Sequence, residues 1–389
     1  MRSRHTPRNL LAGAITSITL VAAVQGAASP AAGAPAHPSP AAAVNASSPA
    51  ATYASSPART ASEVGRIEDR TARALAVSLT DARWRSTVRT AALTGDEVDL
   101  HALAGRTGTR LASSVAAADR DIAAAKGLGT DTGSLLRLRL GSDSMRADLK
   151  AGAEPLVAAA SPDEDAGTVT AYDSHGTPRT LDARRTPDQP VYVLDVDESK
   201  ALAAGMSVLR REFTARGLSA PRTTAAAGFW TTRITAVELS DDEEPWIKGD
   251  AEIYSLVTGF GLDGKVRVDP VDMPYLDNDG TVYHPNQILV NWSTYKYNLA
   301  DVVMMEEDGS TNYRDLAKAI ATVLLTIADQ GAYIPLVNAV LDAVPDDWWT
   351  DDPDYVDSWY TLARNDNGRR NGARGNGWMT LEPYYVQGF

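Results

Sequence analysis

The feature that most constrains this chain is a succession of short β-prone runs beginning at Phe229. FWTTRITAVEL, AEIYSLVTGFG, KVRVDPVDMPYL, QILVNWSTYKY, DVVMMEED, DYVDSWYTLAR and WMTLEPYYVQ follow one another, separated by polar or glycine-bearing segments. Several short strands separated by polar loops predict antiparallel sheets packed as a sandwich. One stretch breaks the pattern: TNYRDLAKAIATVLLTIADQGAYIPLVNAVLDAV, which reads as a helical hairpin inserted at 311–343. Domain 226–389 is therefore expected to be an acidic antiparallel β-sandwich carrying a helical hairpin.

Upstream the pattern differs. Residues 61–133 read as helices, with Val64, Ile67, Ala72, Leu75, Val77 and Leu79 near helical spacing and Gly105 and Gly127 as stops. Asp96 is the expected cap of the helix that holds His101. Residues 134–220 mix strands (SLLRLRLG, EPLVAAA, TVTAYDSHGTPRTL, QPVYVLDVD) with the helix ESKALAAGMSVLRREFTARG, a small α+β domain. The small-residue stretch SAPRTTAAAG, 219–228, separates it from the β region. The fold class is thus α+β and multidomain, with no repeat of solenoid or propeller period.

The first 60 residues belong to neither region. MRSRHTPRN, LLAGAITSITLVAAV and QGAASPAAGAPA give the basic, apolar and small-residue order of a secretory signal peptide, residues 1–28. The apolar run is shorter than the ~20 residues needed to span a bilayer. An Ala/Pro/Ser tether, residues 29–60, offers almost no large apolar side chain to bury. The expected location is extracellular, with no membrane insertion once the signal is cleaved. The chain has no cysteine, so disulfides and thiolate metal sites are excluded.

Charge is uneven. Residues 241–389 hold 26 acidic and 10 basic side chains, out of 50 and 37 in the whole chain. An acidic surface argues against nucleic acid and anionic membrane as partners. The acids fall in three clusters: DDEEPWIKGDAE at 241–252, VDMPYLDNDGT at 271–281 and PDDWWTDDPDYVD at 345–357. Calcium takes 6–8 oxygen ligands, and loops at one end of a sandwich can supply them from separate stretches. Asp241, Asp242, Glu244, Asp250, Asp352 and Asp354 are the expected ligands of a Ca2+ ion, against the alternative of solvated acidic loops. The DNDG stretch fails as an EF-hand, because Tyr275 and Asn286 would fall at its first and twelfth positions; it reads as a turn. Trp246, Trp348, Trp349 and Trp359 read as rings capping the end of a sandwich core rather than as a ligand platform.

Enzyme motifs are weak. There is no HExxH and no GxSxG. His101, His175 and His284 sit in different segments and read as ordinary surface or core residues. Ser293 and Lys296 match SxxK but lie on an expected strand, where that spacing sends them to opposite faces. GFGLDGKV, Gly259 to Val266, matches GxGxxG but leads into a strand and reads as a hairpin turn; the basic, glycine-rich 365–377 reads as another hairpin tip. Two carboxylates suffice for glycoside hydrolysis, so a secreted hydrolase acting on glycan or peptide stays open as the alternative.

The runs DDEEPWIKGDAEIYSLV, VDMPYLDNDGTVYHPNQILVNW, TNYRDLAKA and DDWWTDDPDYVDSWYTL resemble a bacterial secreted family catalogued as domain of unknown function 3103, best over 226–389. That resemblance implies no established activity. A histidine often stands in that family where Glu243 stands here, which keeps Glu243 out of the expected ligand set. The β region is also similar, by architecture alone, to C2-like sandwiches that bind calcium through end loops. The expectation is a non-enzymatic extracellular binding or structural protein, with an extracellular protein or glycan as partner.

Overall fold

The computed structural model describes residues 62–388 except 107–109, 161–166, 220–227, 241–245, 249–250, 308 and 345–354. The expected signal peptide and tether lie outside the described residues. The described chain is mixed α/β, with three sheets and two hydrophobic cores.

Helices α1 (Glu63–Ser78), α2 (Ala82–Thr94), α3 (Leu100–Gly105) and α4 (Arg110–Ala125) form the first part. Carboxylates or hydroxyls start three of them: Ser62 accepts from Gly65 N, Asp81 from Trp84 N and Asp99 from Ala102 N. The cap of α3 is therefore Asp99, not Asp96, which instead pairs with Arg146 at 2.8 Å. The reason is the strand β1 (Glu97–Asp99), three residues that leave the helix nowhere to begin until Leu100. In α1 the buried stripe is Val64, Ile67, Ala72, Leu75 and Ala76, whereas Val77 is turned out to solvent.

Strand β1 is the edge of a six-stranded sheet in the order β1-β2-β6-β3-β4-β5. Its other members are β2 (Leu136–Leu140), β3 (Leu156–Ala159), β4 (Thr168–Tyr172), β5 (Pro178–Asp182) and β6 (Val191–Val196). A 3₁₀ turn and the short helix α5 (Arg146–Ala151) lead from β2 towards β3. In LRLRL the leucines are buried and the arginines half-buried, the expected alternation. Central β6, VYVLDV, is buried along its whole length, and β3–β6 is the sheet's parallel pair. After it comes α6 (Glu198–Ala215), capped by Asp197 and buried along Ala201, Leu202, Met206, Leu209 and Phe213.

The second part holds two four-stranded antiparallel sheets. One runs β10-β7-β14-β13 and the other β12-β11-β8-β9. Their strands are β7 (Phe229–Leu239), β8 (Ile253–Phe260), β9 (Val266–Asp272), β10 (Gln287–Asn291), β11 (Leu299–Glu306), β12 (Tyr355–Ala363), β13 (Gly368–Asn371) and β14 (Gly377–Val386). Ile234, Val237, Met379 and Leu381 from the first sheet meet Ile253, Val257, Val302 and Met304 from the second in one core. Trp359 is buried there, its indole N–H donating to Arg370 O at 3.1 Å.

The β12-β11-β8-β9 sheet is covered on its other face as well. Tyr254, Leu256, Val268, Val303 and Met305 join a core shared with α6, with α7 (Tyr313–Leu324) and with the first part of the chain. In α7 the buried residues recur as Tyr313, Leu316, Ala317, Ile320, Ala321 and Leu324, a helical stripe. Helix α8 (Val337–Leu341) packs on β11 and β12, but it is only five residues long. Residues 325–336 between them are mostly non-helical, where the hairpin reading expected helix. Gly331 there is left-handed at φ 85° and Pro335 lacks an N–H to give. Asp301, fully buried on β11, accepts from Tyr333 Oη at 2.8 Å, Leu336 N at 2.6 Å and Thr361 N at 2.6 Å, fixing that segment from below.

Two further expectations change locally. Trp292–Thr294 is a 3₁₀ turn rather than strand, and Lys296 leaves it to meet Asp329 at 2.5 Å. The GFGLDGKV stretch is the β8–β9 turn, with Gly264 at φ 75°.

Contact between α6 and α7 depends on Gly205. A Cβ there would lie 2.2 Å from the Tyr313 ring. Gly205→Ala is therefore expected to force the two helices apart and destabilise the protein by about 2–3 kcal/mol; urea denaturation against wild type measures this.

Candidate functional site

The six expected calcium ligands, Asp241, Asp242, Glu244, Asp250, Asp352 and Asp354, all lie outside the described residues. Among the described residues no group of three or more His, Asp or Glu side chains is arranged to hold a metal ion. What the structure places is the remainder of each acidic cluster. Trp246, Ile247 and Lys248 lie against the six-stranded sheet: a Cβ on Gly141 would sit 2.7 Å from the Trp246 ring, and the Arg139 guanidinium donates to Ile247 O and Lys248 O. Trp246 thus packs on the first part of the chain instead of capping the core between the two four-stranded sheets. In the second cluster Asp277 accepts from Tyr283 Oη at 2.7 Å inside a turn. In the third, Asp357 is fully buried and accepts four backbone N–H groups, from Ser358, Arg374, Asn376 and Gly377, at 2.7–2.9 Å. That carboxylate shapes the hairpin tip that the sequence shows only as glycine-rich.

Glu252 and Asp272 go elsewhere, to the seam between the two parts. Glu252 lies opposite Glu307 just past the ends of the β8–β11 pairing, with Glu307 N donating to Glu252 O at 2.9 Å. Tyr254 and Asp272 are cross-strand partners on the same, helix-facing side. From the helices come Ser199, whose hydroxyl donates to Glu252, and Tyr313, whose hydroxyl donates to Glu307. Lys126, just past α4, meets Glu307 Oε1 at 2.5 Å, both side chains being wholly buried. Burial pushes the Glu252 carboxyl up to about 7; the Ser199 hydroxyl opposes this, and the Asp272 and Glu307 charges add to it. Burial also raises the Asp272 carboxyl against the pull of Arg210.

A second group opens to solvent beside this seam. Asp119, buried on α4, accepts from Leu135 N at 2.8 Å and Leu136 N at 2.9 Å through Oδ1, and its Oδ2 lies 2.9 Å from His101 Nδ1. His101, on α3, is 47% exposed at its side chain. The pair lines a cavity of 840 Å³ together with Arg120, Thr130, Ser134 and, from α7, Arg314. The clefts at Trp230 and at Lys296 are smaller, 590 and 630 Å³. His101, an ordinary surface or core residue by its sequence context, gains a carboxylate partner in the fold. Its partner is 18 residues away on the next helix, and no motif marks a pair that only the crossing of α3 and α4 creates. What the sequence did offer was a single aspartate on the otherwise small and apolar face of AAADRDIAAA.

The fold and the site define a mixed α/β protein in which a helix-and-sheet part and a pair of antiparallel sheets meet across a polar, buried seam flanked by one sizeable cavity. The chain belongs to the family described as protein of unknown function DUF3103, whose family model matches residues 72–388 and so spans both parts. No curated protein and no solved structure matches it.

Between its ordinary 4.5 and about 7, folded Glu252 holds a proton that the unfolded chain has released. Its contribution to stability is therefore complete below 4.5 and is lost as pH rises through about 7. The Tm of wild type is expected to fall more steeply over that interval than the Tm of Glu252→Gln, measured by calorimetry at matched ionic strength.

Proposed function

We propose that this chain is an exported, non-enzymatic binding protein whose ligand, a small organic anion such as an acidic sugar or another carboxylate- or phosphate-bearing molecule, occupies the His101 cavity. The observation that carries the reading is the convergence of one oriented histidine and two arginines on that cavity, over a carboxylate already satisfied by backbone N–H groups. Asp119 fixes the His101 ring through Nδ1, so that Nε2 is presented to a ligand. Arg120 and Arg314 add permanent positive charge with a planar donor set suited to carboxylate and phosphate. Export rests on the signal-like residues 1–28. No described helix is long and apolar enough to cross a membrane.

The test is isothermal titration with inorganic phosphate, citrate and glucuronate. At least one is expected to bind, and His101→Ala or Arg314→Ala to weaken it by about tenfold, roughly 1.4 kcal/mol. No binding by wild type to any of the three, or binding unaffected by both substitutions, contradicts the reading. A hydrolase is favoured by one observation alone, that a buried aspartate orienting a histidine is also how a general base is held. Turnover of p-nitrophenyl acetate or phosphate that is lost in His101→Ala would put that reading ahead. Its paired-carboxylate version has less support, since Glu252 lines neither the His101 cavity nor the clefts at Trp230 and Lys296.

Calcium remains part of the proposal, supported by the oxygen-ligand chemistry of Asp241, Asp242, Glu244, Asp250, Asp352 and Asp354. So does the finer architecture, in which the two four-stranded sheets form a C2-like sandwich with 311–343 as its helical insertion. Millimolar calcium is expected to raise the Tm of chelator-treated protein by a few degrees or more through mass action. An unchanged Tm, read by differential scanning fluorimetry, removes the ion.

A further inference from the structure

The Lys126–Glu307 contact carries more than an ion pair. Nζ lies 2.5 Å from Oε1, and both side chains are fully buried. The Lys126 backbone is pinned on both sides, its N–H donating to Ile122 O at 2.9 Å and its carbonyl accepting from Tyr313 N at 3.1 Å. Nζ also donates to Gly309 O at 2.9 Å, which fixes its approach to the carboxyl. The second carboxyl oxygen, Oε2, accepts the Tyr313 hydroxyl. Glu252 stands across the strand pair on the same face, with its Oε2 buried and given no hydrogen bond by the residues around it. An amine and a carboxyl held in contact, away from water, with a donor on the carbonyl oxygen and a further acid beside them, form an arrangement suited to acyl transfer.

We propose that Lys126 and Glu307 are joined by an intramolecular amide bond that forms by itself once the chain has folded. Attack requires the neutral amine and the carboxylic acid, the pair that transfer of one proton from Nζ to Oε1 across their 2.5 Å contact produces. Nζ attacks Glu307 Cδ and the N–C bond forms. Negative charge gathers on Oε2, where the Tyr313 hydroxyl stabilises it. Oε1 then leaves as water, taking its second proton from Nζ, with which it is in contact. The balance is one amine and one carboxylic acid giving one amide and one water; nothing is oxidised or reduced and no co-reactant is needed. Holding the two groups in contact supplies the proximity that an uncatalysed amidation in water lacks. Water is also excluded from the product, which keeps the bond from being hydrolysed. In a chain without cysteine, this bond would fasten the helix-and-sheet part to the paired sheets independently of redox conditions.

The test is mass spectrometry of the purified chain under denaturing conditions. Wild type is expected about 18 Da below the mass of its own sequence, the loss of one water. Tryptic digestion should give a branched peptide joining Lys126 to Glu307, with no cleavage after Lys126. Lys126→Arg, which keeps the charge but cannot form the amide, should match its sequence mass. Tyr313→Phe should give a mixture of linked and unlinked chains. Wild type at full sequence mass, with Lys126 cleaved normally by trypsin, overturns the proposal, and this outcome does not depend on whether either variant folds.

Discussion

The sheet β12-β11-β8-β9 has to satisfy two cores at once, and much of the molecule follows from that constraint. On one side it faces the β10-β7-β14-β13 sheet. On the other it faces α6, α7 and, through them, the six-stranded sheet. A sheet buried on both faces has no solvent side on which to place charge. Charged groups on its strands or just past their ends must therefore be paired or held neutral. Glu307 meets Lys126 and Tyr313, Asp301 is ringed by donors, and Glu252 holds its proton to about 7. The polar seam is the price of threading carboxylates through the middle layer.

The same constraint explains what could be read from the sequence. Strands with one wet face announce themselves: LRLRL of β2 and the alternating half of β7 have the period-two pattern. Strand β8 is buried at all eight positions and was legible through its β-branched and aromatic content. Helices α6 and α7 are legible as helical runs in the sequence. The local misses have local causes. Strand β1 is too short to show a period, so the sequence alone points to Asp96 for the start of α3. Gly331 and Pro335 interrupt an apolar run whose composition resembles that of a helix.

The candidate site was far less legible, for a different reason. His101 and Asp119 are on separate helices, and Lys126 and Glu307 are in separate parts of the chain. Each is an ordinary residue in its own segment, and chemistry arises only where the packing brings two such residues together. The acidic clusters illustrate the converse. Asp357 and Asp277 share a composition with their neighbours yet serve backbone and tyrosine donors, because a carboxylate in sequence does not reveal which donors will surround it. Membership of DUF3103 over residues 72–388 places the helix-and-sheet part and the paired sheets within one family unit, which suits two halves sharing a core.

The docking of Trp246 on Gly141 bears on how closely the two parts of the molecule can approach. Ser240 is tied at the far end of β7, its N–H donating to Asn376 O at 2.7 Å, while Trp246 is seated on the other part of the molecule, where a Cβ at position 141 would lie 2.7 Å from its ring. Any side chain larger than hydrogen there would push the indole from its seat. One absent Cβ at the end of β2 thus sets how near the two parts can come at this point.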